Sequence, residues 1–318
     1  MNKLRIGTRG SQLALWQANL VRAELHKAHP EMDVELVVIT TKGDKVLDVS
    51  LDKIGSKGVF TKEIEDALLE RRIDVAVHSL KDLPTGMPAG LQLAAIMQRE
   101  DVADALVTRT GQKLEDLPHG SIVMTGSLRR QAQMLAWRDD LKILPIRGNV
   151  PTRVRKFNDS SAAALVLACA GLRRLGMAGV ITQRLDPETF LPACGQGAIA
   201  VQARVADDSV IDACRCLDHA PTRLAVTAER AYLRAMGGGC QAPLGAYARF
   251  SGDSLAVTAM AASADGRQMV RKTTSAPCPS MQAAGQLGDM AAQWVLAECG
   301  SEIMGLISSQ PKPSRETP

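Results

Sequence analysis

Aromatic residues are scarce in this chain, which has four Phe, three Trp and two Tyr among 318 residues. Proteins that hold single-stranded nucleic acid stack its bases on aromatic side chains, so this composition argues against that class. The formal net charge of +4 is a mild excess that is more typical of a solubility feature than of a nucleic-acid surface. We therefore expect no nucleic-acid partner, and a core built mainly from aliphatic side chains and Met.

Long apolar runs are also missing. The longest uncharged one, AAALVLACAGL, is well short of the ~20 residues that a membrane-spanning helix needs. The first residues, MNKLRIGTRG, lack the apolar stretch and the cleavage site of a signal peptide. We expect a cytoplasmic protein with no membrane partner.

The seven cysteines have no spacing typical of a disulfide framework, and free thiols are expected in a reducing cytoplasm. Cys214, Cys216 and His219 come nearest to a metal-ligand cluster. On a helix Cys216 and His219 would share a face while Cys214 points elsewhere, and no second ligand pair has zinc-site spacing. We favour small apolar cysteines on a packed helix and expect no metal.

Strand and helix patterns alternate through the first two thirds of the chain. LRIGT, DVELVVIT and DVAVHS are typical of strands, as are SIVMT and KILPI later, and amphipathic helices separate them. We expect Ser11 and Thr61 to cap two of these helices. The alternation predicts an α/β fold with parallel strands. Both thirds place Ser or Thr and Arg where a strand passes into a helix, which indicates a structural duplication and two lobes facing each other across a cleft.

The last third follows another pattern. After about Leu217, a helix leads to segments of period two, two of which are joined by the hairpin signal SADG. A closing helix follows, so this part is predicted to be a small α+β domain. The final residues, SSQPKPSRETP, have the composition of a disordered tail.

Arginine and hydroxyl side chains recur at the predicted carboxyl ends of strands, where helix N-termini favour anions. For any one arginine, a solvated surface position is an equal alternative, but it is a poor explanation of the whole set. The planar guanidinium binds carboxylates and phosphates at two points, so a ligand with several anionic groups is predicted. The set is Arg9, Ser11, Thr125, Ser127, Arg129, Arg130, Arg147, Arg153, Arg173 and Arg174.

The motif HSLKDLP places Lys81 and Asp82 in a loop directly after a buried strand. A carboxylate at a strand end is a favoured catalytic position, and the alternative is an Asp that caps the next turn. His78 is a candidate base, although a histidine that ends a buried strand is more often a hydrogen-bonded core residue.

Two glycine-containing segments complete the candidates. DKIGSKG, with Lys53 and Lys57, lacks the glycine spacing of a P-loop and is interpreted as a mobile basic loop over an anionic ligand. MGGGCQAPLG places Cys240 after three glycines, where a bulky group can approach the sulfur and nearby cations would favour the thiolate. An inert loop thiol is the alternative.

A series of motifs then points to one family: LRIGTRGSQLALWQ, KGVFTKEIEDALL, DVAVHSLKDLPT, GSLRRQAQ, RGNVPTR, AGLRRLG, GQGAIAV, AERAYL and GGCQAPLG, in this order. From Leu4 to the last helix, the chain closely resembles porphobilinogen deaminase, also called hydroxymethylbilane synthase. The resemblance implies a transferase of tetrapyrrole and heme biosynthesis. Such enzymes join four porphobilinogen molecules head to tail, release ammonia at each step and free hydroxymethylbilane with water.

The resemblance also implies a cofactor and a site. The family extends a dipyrromethane held by a thioether, here on Cys240. It uses a catalytic aspartate, here Asp82, as a general acid and to stabilise positive charge. Contacts to the cofactor carry over to Lys81, Thr125, Ser127, Arg129, Arg130, Arg153 and Arg174. By the same resemblance, the substrate would be contacted by Arg9, Ser11, Arg147, Arg153 and Gln196. Lys53 and Lys57 would belong to the mobile loop.

The implied fold has two lobes like those of a type II periplasmic binding protein, with mostly parallel mixed sheets, and a small α+β domain that bears the cysteine. Domain 1 would comprise residues 1–99 and 197–217, domain 2 residues 100–196 and domain 3 residues 218–318, with a disordered tail from about residue 308. A monomer is expected.

The sequence departs from the family pattern at four places. Gly126 stands where a serine is usual, Cys194 where an apolar residue is common and Gly237 where an acidic residue is frequent, and EDVADAL lacks a frequent Pro-Arg pair. None of these changes Asp82, Cys240 or the arginines, so activity should be retained.

Two other functions fit part of the sequence. A small-anion binding protein without turnover accounts for the arginines, but not for Asp82 beside Lys81 or for the glycine-flanked Cys240. A thiol hydrolase using Cys240 and His78 has no visible partner to orient the histidine.

Overall fold

The computed structural model describes residues 2–45, 61–237, 242–300 and 303–305. The strands are β1 (Lys3–Thr8), β2 (Asp33–Val38), β3 (Val75–Ser79), β4 (Leu91–Ile96), β5 (Asp104–Thr108), β6 (Ile122–Met124), β7 (Lys142–Leu144), β8 (Ala164–Ala168), β9 (Gln183–Leu185), β10 (Ile199–Arg204), β11 (Leu244–Ser251), β12 (Ser254–Ala262) and β13 (Met269–Pro277).

The helices are α1 (Gln12–Ala28), α2 (Lys42–Lys45), α3 (Lys62–Leu69), α4 (Leu128–Trp137), α5 (Val150–Asn158), α6 (Cys169–Arg174), α7 (Asp208–Cys214), α8 (Ala220–Ala235) and α9 (Met281–Glu298). Short 3-10 turns lie at Leu80–Asp82, Ala178–Val180 and Arg215–Leu217. Within the described part of the chain, no helix combines the length and hydropathy that crossing a membrane requires.

The chain forms two compact units. The first comprises Met1–Glu100 and Gly197–Arg223, and the second comprises Asp101–Gln196 and Leu224–Pro318. The first unit contains one sheet with the strand order β2-β1-β3-β10-β4. β1 is parallel to β2 and β3, whereas β10 is antiparallel to β3 and β4. The sheet is therefore mixed, with a single reversed strand next to its edge.

The second unit contains a sheet of the same design, with the strand order β7-β6-β8-β5-β9. β6 is parallel to β7 and β8, and β5 is antiparallel to β8 and β9. The predicted α/β class, its mostly parallel mixed sheets and the structural duplication are confirmed. β4, β5, β9 and β10 are strands that the sequence patterns did not identify.

The rest of the second unit is the predicted α+β part. β11, β12 and β13 form an antiparallel sheet, and the hairpin expected at SADG joins the last two strands. Its core includes Tyr232 of α8, Val257 of β12 and Leu287 of α9. The Tyr232 hydroxyl donates to the carbonyl of Met260 at 2.7 Å, which ties α8 to the sheet. The division of the chain into three domains stays a prediction.

The two predicted helix caps differ in outcome. Ser11 caps α1, because its Oγ accepts the N–H of Ala14 at 3.3 Å. Thr61 precedes α3 but makes no capping hydrogen bond. Its hydroxyl instead donates to Oε2 of Glu65 at 3.4 Å, a buried carboxyl group one turn further along. The prediction for the Thr61 side chain was wrong because this carboxyl group competes for its hydroxyl.

Candidate active site

Asp82 lies exposed on a turn that its neighbours hold in place. The Leu80–Asp82 turn follows β3 directly. The side chains of Leu80 and Leu83 are buried on either side of the turn. The N–H of Leu80 donates to the carbonyl of Ala198 at 3.0 Å, and that of Leu83 donates to the carbonyl of Leu80 at 3.1 Å. The sequence thus places a solvent-facing carboxylate on a fixed backbone.

Arg9 and Ser11 reach the same edge of the first sheet as Asp82. β1 and β3 are adjacent and parallel, with Ile6 paired to Val75, so their carboxyl ends lie side by side. Arg9 follows the end of β1, and Ser11 caps the helix after it. Lys81 belongs to the Asp82 turn and is partly buried. The first unit therefore brings together four of the predicted site residues.

Gln17 is a residue of this edge that sequence reasoning missed. It lies on α1, is 2% exposed, and its amide nitrogen donates to Oγ of Ser79 at 2.9 Å. Ser79 is the last residue before the Asp82 turn, so this bond ties α1 to the end of β3. The available signal was a polar residue beside Ala18, on the face of α1 that is otherwise apolar and buried.

The candidate base His78 is a buried and uncharged residue. Its Nε2 lies 3.0 Å from Oε1 of Gln202, whose amide nitrogen donates to Oε1 of Glu65 at 3.2 Å. Burial lowers the pKa of His78 to about 4; the charge of Arg9 adds to this effect and the bond to Gln202 opposes it. At neutral pH, His78 is therefore the hydrogen-bonded core residue that the sequence offered as the alternative.

The His78→Gln chain should be less sensitive to acid than the native chain. The pKa of His78 falls from 6.5 to about 4 on folding, so below pH 6.5 the unfolded chain takes up the proton first. The contribution of uncharged His78 to the free energy of unfolding is complete above pH 6.5. It is lost as pH falls towards 4, by about 3 kcal/mol in all. Urea unfolding measures the free energy of unfolding at about pH 7.5 and at about pH 5. Between these two pH values, the free energy of unfolding should fall by about 2 kcal/mol less in the variant than in the native chain. Equal drops in the two chains would contradict this assignment.

In the second unit, Thr125 and Ser127 shape the passage from β6 into α4. The N–H of Thr125 donates to the carbonyl of Leu144 at 3.0 Å, which joins the ends of β6 and β7. The hydroxyl of Thr125 accepts the N–H of Ser127 at 3.3 Å. Ser127 caps α4 by accepting the N–H of Arg130 at 3.4 Å. Both hydroxyl groups therefore organise the backbone at the carboxyl end of β6.

Gly126, one of the departures from the family pattern, permits a close approach of two loops. A Cβ atom at this position would lie 2.7 Å from the carbonyl oxygen of Ile146. The serine that is usual here would need the segment before Arg147 to move. Glycine at position 126 therefore allows the segments that follow β6 and β7 to approach each other closely.

Arg147 and Arg153 flank the start of α5. Asn149 caps this helix by accepting the N–H of Thr152 at 2.9 Å, and Nε of Arg153 donates to the carbonyl of Gly148 at 2.6 Å. The Arg147 guanidinium makes no hydrogen bond or ion pair with any residue that the structure describes. Arg147 follows the carboxyl end of β7, and the residue is half-buried there.

Arg129 and Arg130 are buried and paired with Asp104. Nη1 of Arg129 lies 2.7 Å from Oδ2 of Asp104, and Nη2 of Arg130 lies 2.7 Å from its Oδ1. Burial alone would raise the pKa of Asp104, but the two guanidinium charges and their hydrogen bonds hold it well below its ordinary value. Asp104 is therefore an ionised carboxylate in the interior of the second unit.

Gln196 and Arg174 are also buried in this unit. The amide nitrogen of Gln196 donates to Oδ1 of Asp104 at 2.9 Å and to the carbonyl of Val102 at 2.7 Å. Arg174 lies on α6, directly after the end of β8. The predicted residues Thr125, Ser127, Arg129, Arg130, Arg147, Arg153, Arg174 and Gln196 thus all belong to the second unit.

Asp104 is the second residue that sequence reasoning missed. It begins β5, which is antiparallel to β8, so it pairs with Ala168 at the carboxyl end of that strand. A charged residue opening the apolar run DALV was the available signal. Its partners are distant in the sequence, however: Gln196 is 92 residues further along the chain.

Cys240, Lys53 and Lys57 lie outside the described residues, as does the tail from about residue 308. Gly237 has a φ of +88°, in the left-handed region that favours glycine, which accounts for the missing acidic residue there.

The cysteines considered as metal ligands lie in different surroundings. Cys214 is buried in α7, and this burial raises the pKa of its thiol to about 12. Cys216 is exposed, and its Sγ lies 3.3 Å from the carbonyl of Ala213. Cys194 is buried.

The two sheets and their strand ends define a duplicated α/β protein with arginine, serine and threonine at the carboxyl ends of its parallel strands. Among solved structures, the periplasmic VFT2 domain of Bordetella pertussis BvgS matches 68% of this chain and 86% of its own, with a TM-score of 0.41 and 12% identity. A Salmonella typhimurium periplasmic binding protein described for its arginine specificity matches 67% of this chain and 90% of its own, with a TM-score of 0.35 and 12% identity.

Two family models match most of the chain. The porphobilinogen deaminase dipyromethane cofactor binding domain matches residues 4–212, and the porphobilinogen deaminase C-terminal domain matches residues 223–297. The porphobilinogen deaminase of Geobacter metallireducens is 49% identical over 302 residues, covering 95% of this chain and 94% of the relative. That of Synechococcus sp. strain RCC307 is 45% identical over 315 residues, covering 98% of each. The chain belongs to the porphobilinogen deaminase family.

Proposed function

We propose that this chain is a hydroxymethylbilane synthase of tetrapyrrole biosynthesis. It condenses four porphobilinogen molecules head to tail on a bound dipyrromethane, with loss of ammonia at each step, and releases hydroxymethylbilane with water. The observation that carries the proposal is the exposed Asp82 carboxylate on its fixed turn, at the sheet edge that also holds Arg9 and Ser11. A protein that only binds anions needs the cations but not this carboxylate.

Asp82 acts on porphobilinogen in two ways. In its protonated form, Asp82 passes its proton to the departing amine and so becomes a carboxylate. As ammonia leaves, positive charge develops on the pyrrole, and this carboxylate accepts a hydrogen bond from the pyrrole N–H and stabilises the charge. Little reorganisation is needed, because Leu80 and Leu83 anchor the turn on both sides.

The arginines bind the acid groups. Each porphobilinogen carries an acetate and a propionate, so every condensation adds two carboxylates to the chain. Arg147 supports this role, since its guanidinium has no partner among the described residues. We propose that Arg130 supports the site through its ion pair with Asp104 and that Lys53 and Lys57 belong to a mobile loop. We propose that the contacts to substrate and cofactor are made by Arg9, Ser11, Lys81, Thr125, Ser127, Arg129, Arg147, Arg153, Arg174 and Gln196.

We place the dipyrromethane on Cys240, through a thioether. When bound, this group would supply the free pyrrole position to which the first substrate is added. The second unit suits a group that carries carboxylates, because Arg129 is buried there and its Nε and Nη2 make no hydrogen bond to a described residue. Two described residues after Cys240 support the placement. Ala242 is buried in this unit, and a Cβ atom at Gly245 would lie 3.2 Å from Cδ of Arg129.

Incubation of the purified chain with porphobilinogen tests the proposal. We expect ammonia and hydroxymethylbilane in a ratio of four to one. Binding of porphobilinogen without ammonia release would instead identify the small-anion binding protein. The thiol hydrolase is disfavoured because His78 is buried, uncharged and held by Gln202.

Salt should weaken substrate binding. Raising sodium chloride from about 0.05 M to about 0.5 M is expected to increase the KM for porphobilinogen roughly fivefold, because the contacts join guanidinium groups to carboxylates. kcat should change much less, since the bond-making steps use Asp82. Initial rates at several salt concentrations measure both quantities, and a KM indifferent to salt would count against the role of the arginines.

The monomeric state, the cytoplasmic location and the absence of a nucleic-acid or membrane partner stay predictions. Light scattering on the eluted peak of a sizing column tests the first of them, and a dimer mass would contradict it.

A further inference from the structure

The carboxyl edge of the second sheet contains two buried guanidinium groups and one buried carboxylate. Arg129 and Arg130 are 4% and 5% exposed, and Asp104 is fully buried. Asp104 reaches this edge only because β5 is antiparallel: the first residue of β5 then stands opposite Ala168, the last residue of β8. The cluster therefore carries one uncompensated positive charge inside the protein.

The two arginines differ in how their nitrogens are used. Each of the three guanidinium nitrogens of Arg130 donates a hydrogen bond: Nε and Nη2 donate to Oδ1 of Asp104 at 3.0 and 2.7 Å, and Nη1 donates to the carbonyl of Val166 at 3.1 Å. Arg129 uses only Nη1, which donates to Oδ2 of Asp104 at 2.7 Å and to the carbonyl of Leu191. Its Nε and Nη2 make no hydrogen bond to any residue within the described ranges.

The geometry of these two nitrogens, which have no partner among the described residues, suits a particular kind of ligand. Nε–H and Nη2–H lie on one side of the guanidinium and point the same way, so together they match the two oxygens of a carboxylate. The arrangement therefore points to one carboxylate of a ligand bound side-on to Arg129.

We propose that Asp104 is a positioning residue for the dipyrromethane of this enzyme, and this rests on the proposed function. Asp104 compensates the charge of Arg130 and holds Arg129 by one nitrogen, so that Nε and Nη2 of Arg129 are presented to a carboxylate of the cofactor. Gln196 assists by holding Oδ1 of Asp104 and the carbonyl of Val102 with the same amide nitrogen. Arg130 acts here through Asp104, whereas Arg129 contacts the ligand.

Cofactor loading is the experiment that tests this role. The chain is produced without cofactor in cells that cannot make porphobilinogen, porphobilinogen is added, and intact mass follows the adduct over time at several salt concentrations. Asp104→Asn keeps the shape of the side chain but removes its charge. We expect it to load about tenfold more slowly than the native chain, because Arg129 is no longer oriented. We also expect a steeper dependence on salt, because a second positive charge is left uncompensated.

A double variant and a control separate positioning from a purely structural effect. Asp104→Asn combined with Arg130→Gln restores the charge balance, so its salt dependence should return to the native one. Asp140→Asn removes a carboxylate that pairs with Arg138 just beyond the other end of α4, and it should load like the native chain. Native loading by Asp104→Asn, or slower loading with unchanged salt dependence, would overturn the proposal.

If Asp104→Asn does not fold, the Arg129→Lys variant tests the side-on contact between Arg129 and the cofactor instead. Lysine keeps the positive charge but lacks the side-on pair of nitrogens, so loading should slow about tenfold. Loading at the native rate would overturn the proposal. If the native chain itself acquires no adduct, the proposed function has failed instead, so the two failures are distinguishable.

Discussion

The Asp82→Asn chain is expected to condense porphobilinogen about 100-fold to 10,000-fold more slowly than the native chain, while still carrying its cofactor. Asparagine has nearly the same shape, and the turn should keep its geometry because the buried side chains of Leu80 and Leu83 anchor it. The amide cannot pass a proton to the departing amine, and it has no charge to stabilise the positive pyrrole. Ammonia release measures kcat, and intact mass reports the cofactor.

Two further variants make this result specific. Asp82→Glu retains a carboxyl group and should keep more activity than Asp82→Asn, although the longer side chain displaces the group. Asp33→Asn changes an exposed aspartate at the amino end of β2 in the same sheet, and its kcat and KM should match the native values. A near-native kcat for Asp82→Asn would remove this residue from catalysis.

The Cys240→Ser chain should show no dipyrromethane adduct and no turnover. A serine hydroxyl is a much weaker nucleophile than a thiolate at neutral pH, so the thioether has no counterpart. Intact mass of the native chain should exceed the mass calculated from the sequence by two pyrrole units, and the variant should have the calculated mass. Ammonia release measured on the same samples should fall to the background of the assay.

Cys216→Ser is the matched control, because Cys216 is an exposed thiol of the first unit. It should keep both the adduct and the activity. An adduct that persists in Cys240→Ser, or an active native chain with unmodified mass, would refute the attachment at Cys240.

Features that depend on neighbouring residues could be predicted from the sequence. The Ser11 cap, the SADG hairpin and the alternation that yields two α/β sheets are local, because backbone geometry and side-chain periodicity act over a few residues. Thr61 shows the limit of such reasoning. Its position before a helix was clear, but Glu65 one turn away, buried by the fold, competes for its hydroxyl.

The burial of each side chain distinguishes candidate site residues that the sequence could not tell apart. Arg129, Arg130 and Arg147 looked equivalent as arginines after strand ends. The first two are buried beside Asp104, while the third has no partner among the described residues. His78 looked like a possible base until its surroundings showed it to be uncharged at neutral pH.

The sequence by itself determined the family, the α/β class and the residue types available for chemistry. These follow from motif order and local periodicity, which need no knowledge of which strands pair. Only the tertiary structure decided that Asp104 lies between two arginines, that Gln17 holds the end of β3, and that Arg129 keeps two nitrogens without a described partner. The reason is physical: charge compensation and burial depend on strand pairing between residues far apart in the chain, and β5 brings Asp104 to this edge only because it runs against its neighbours.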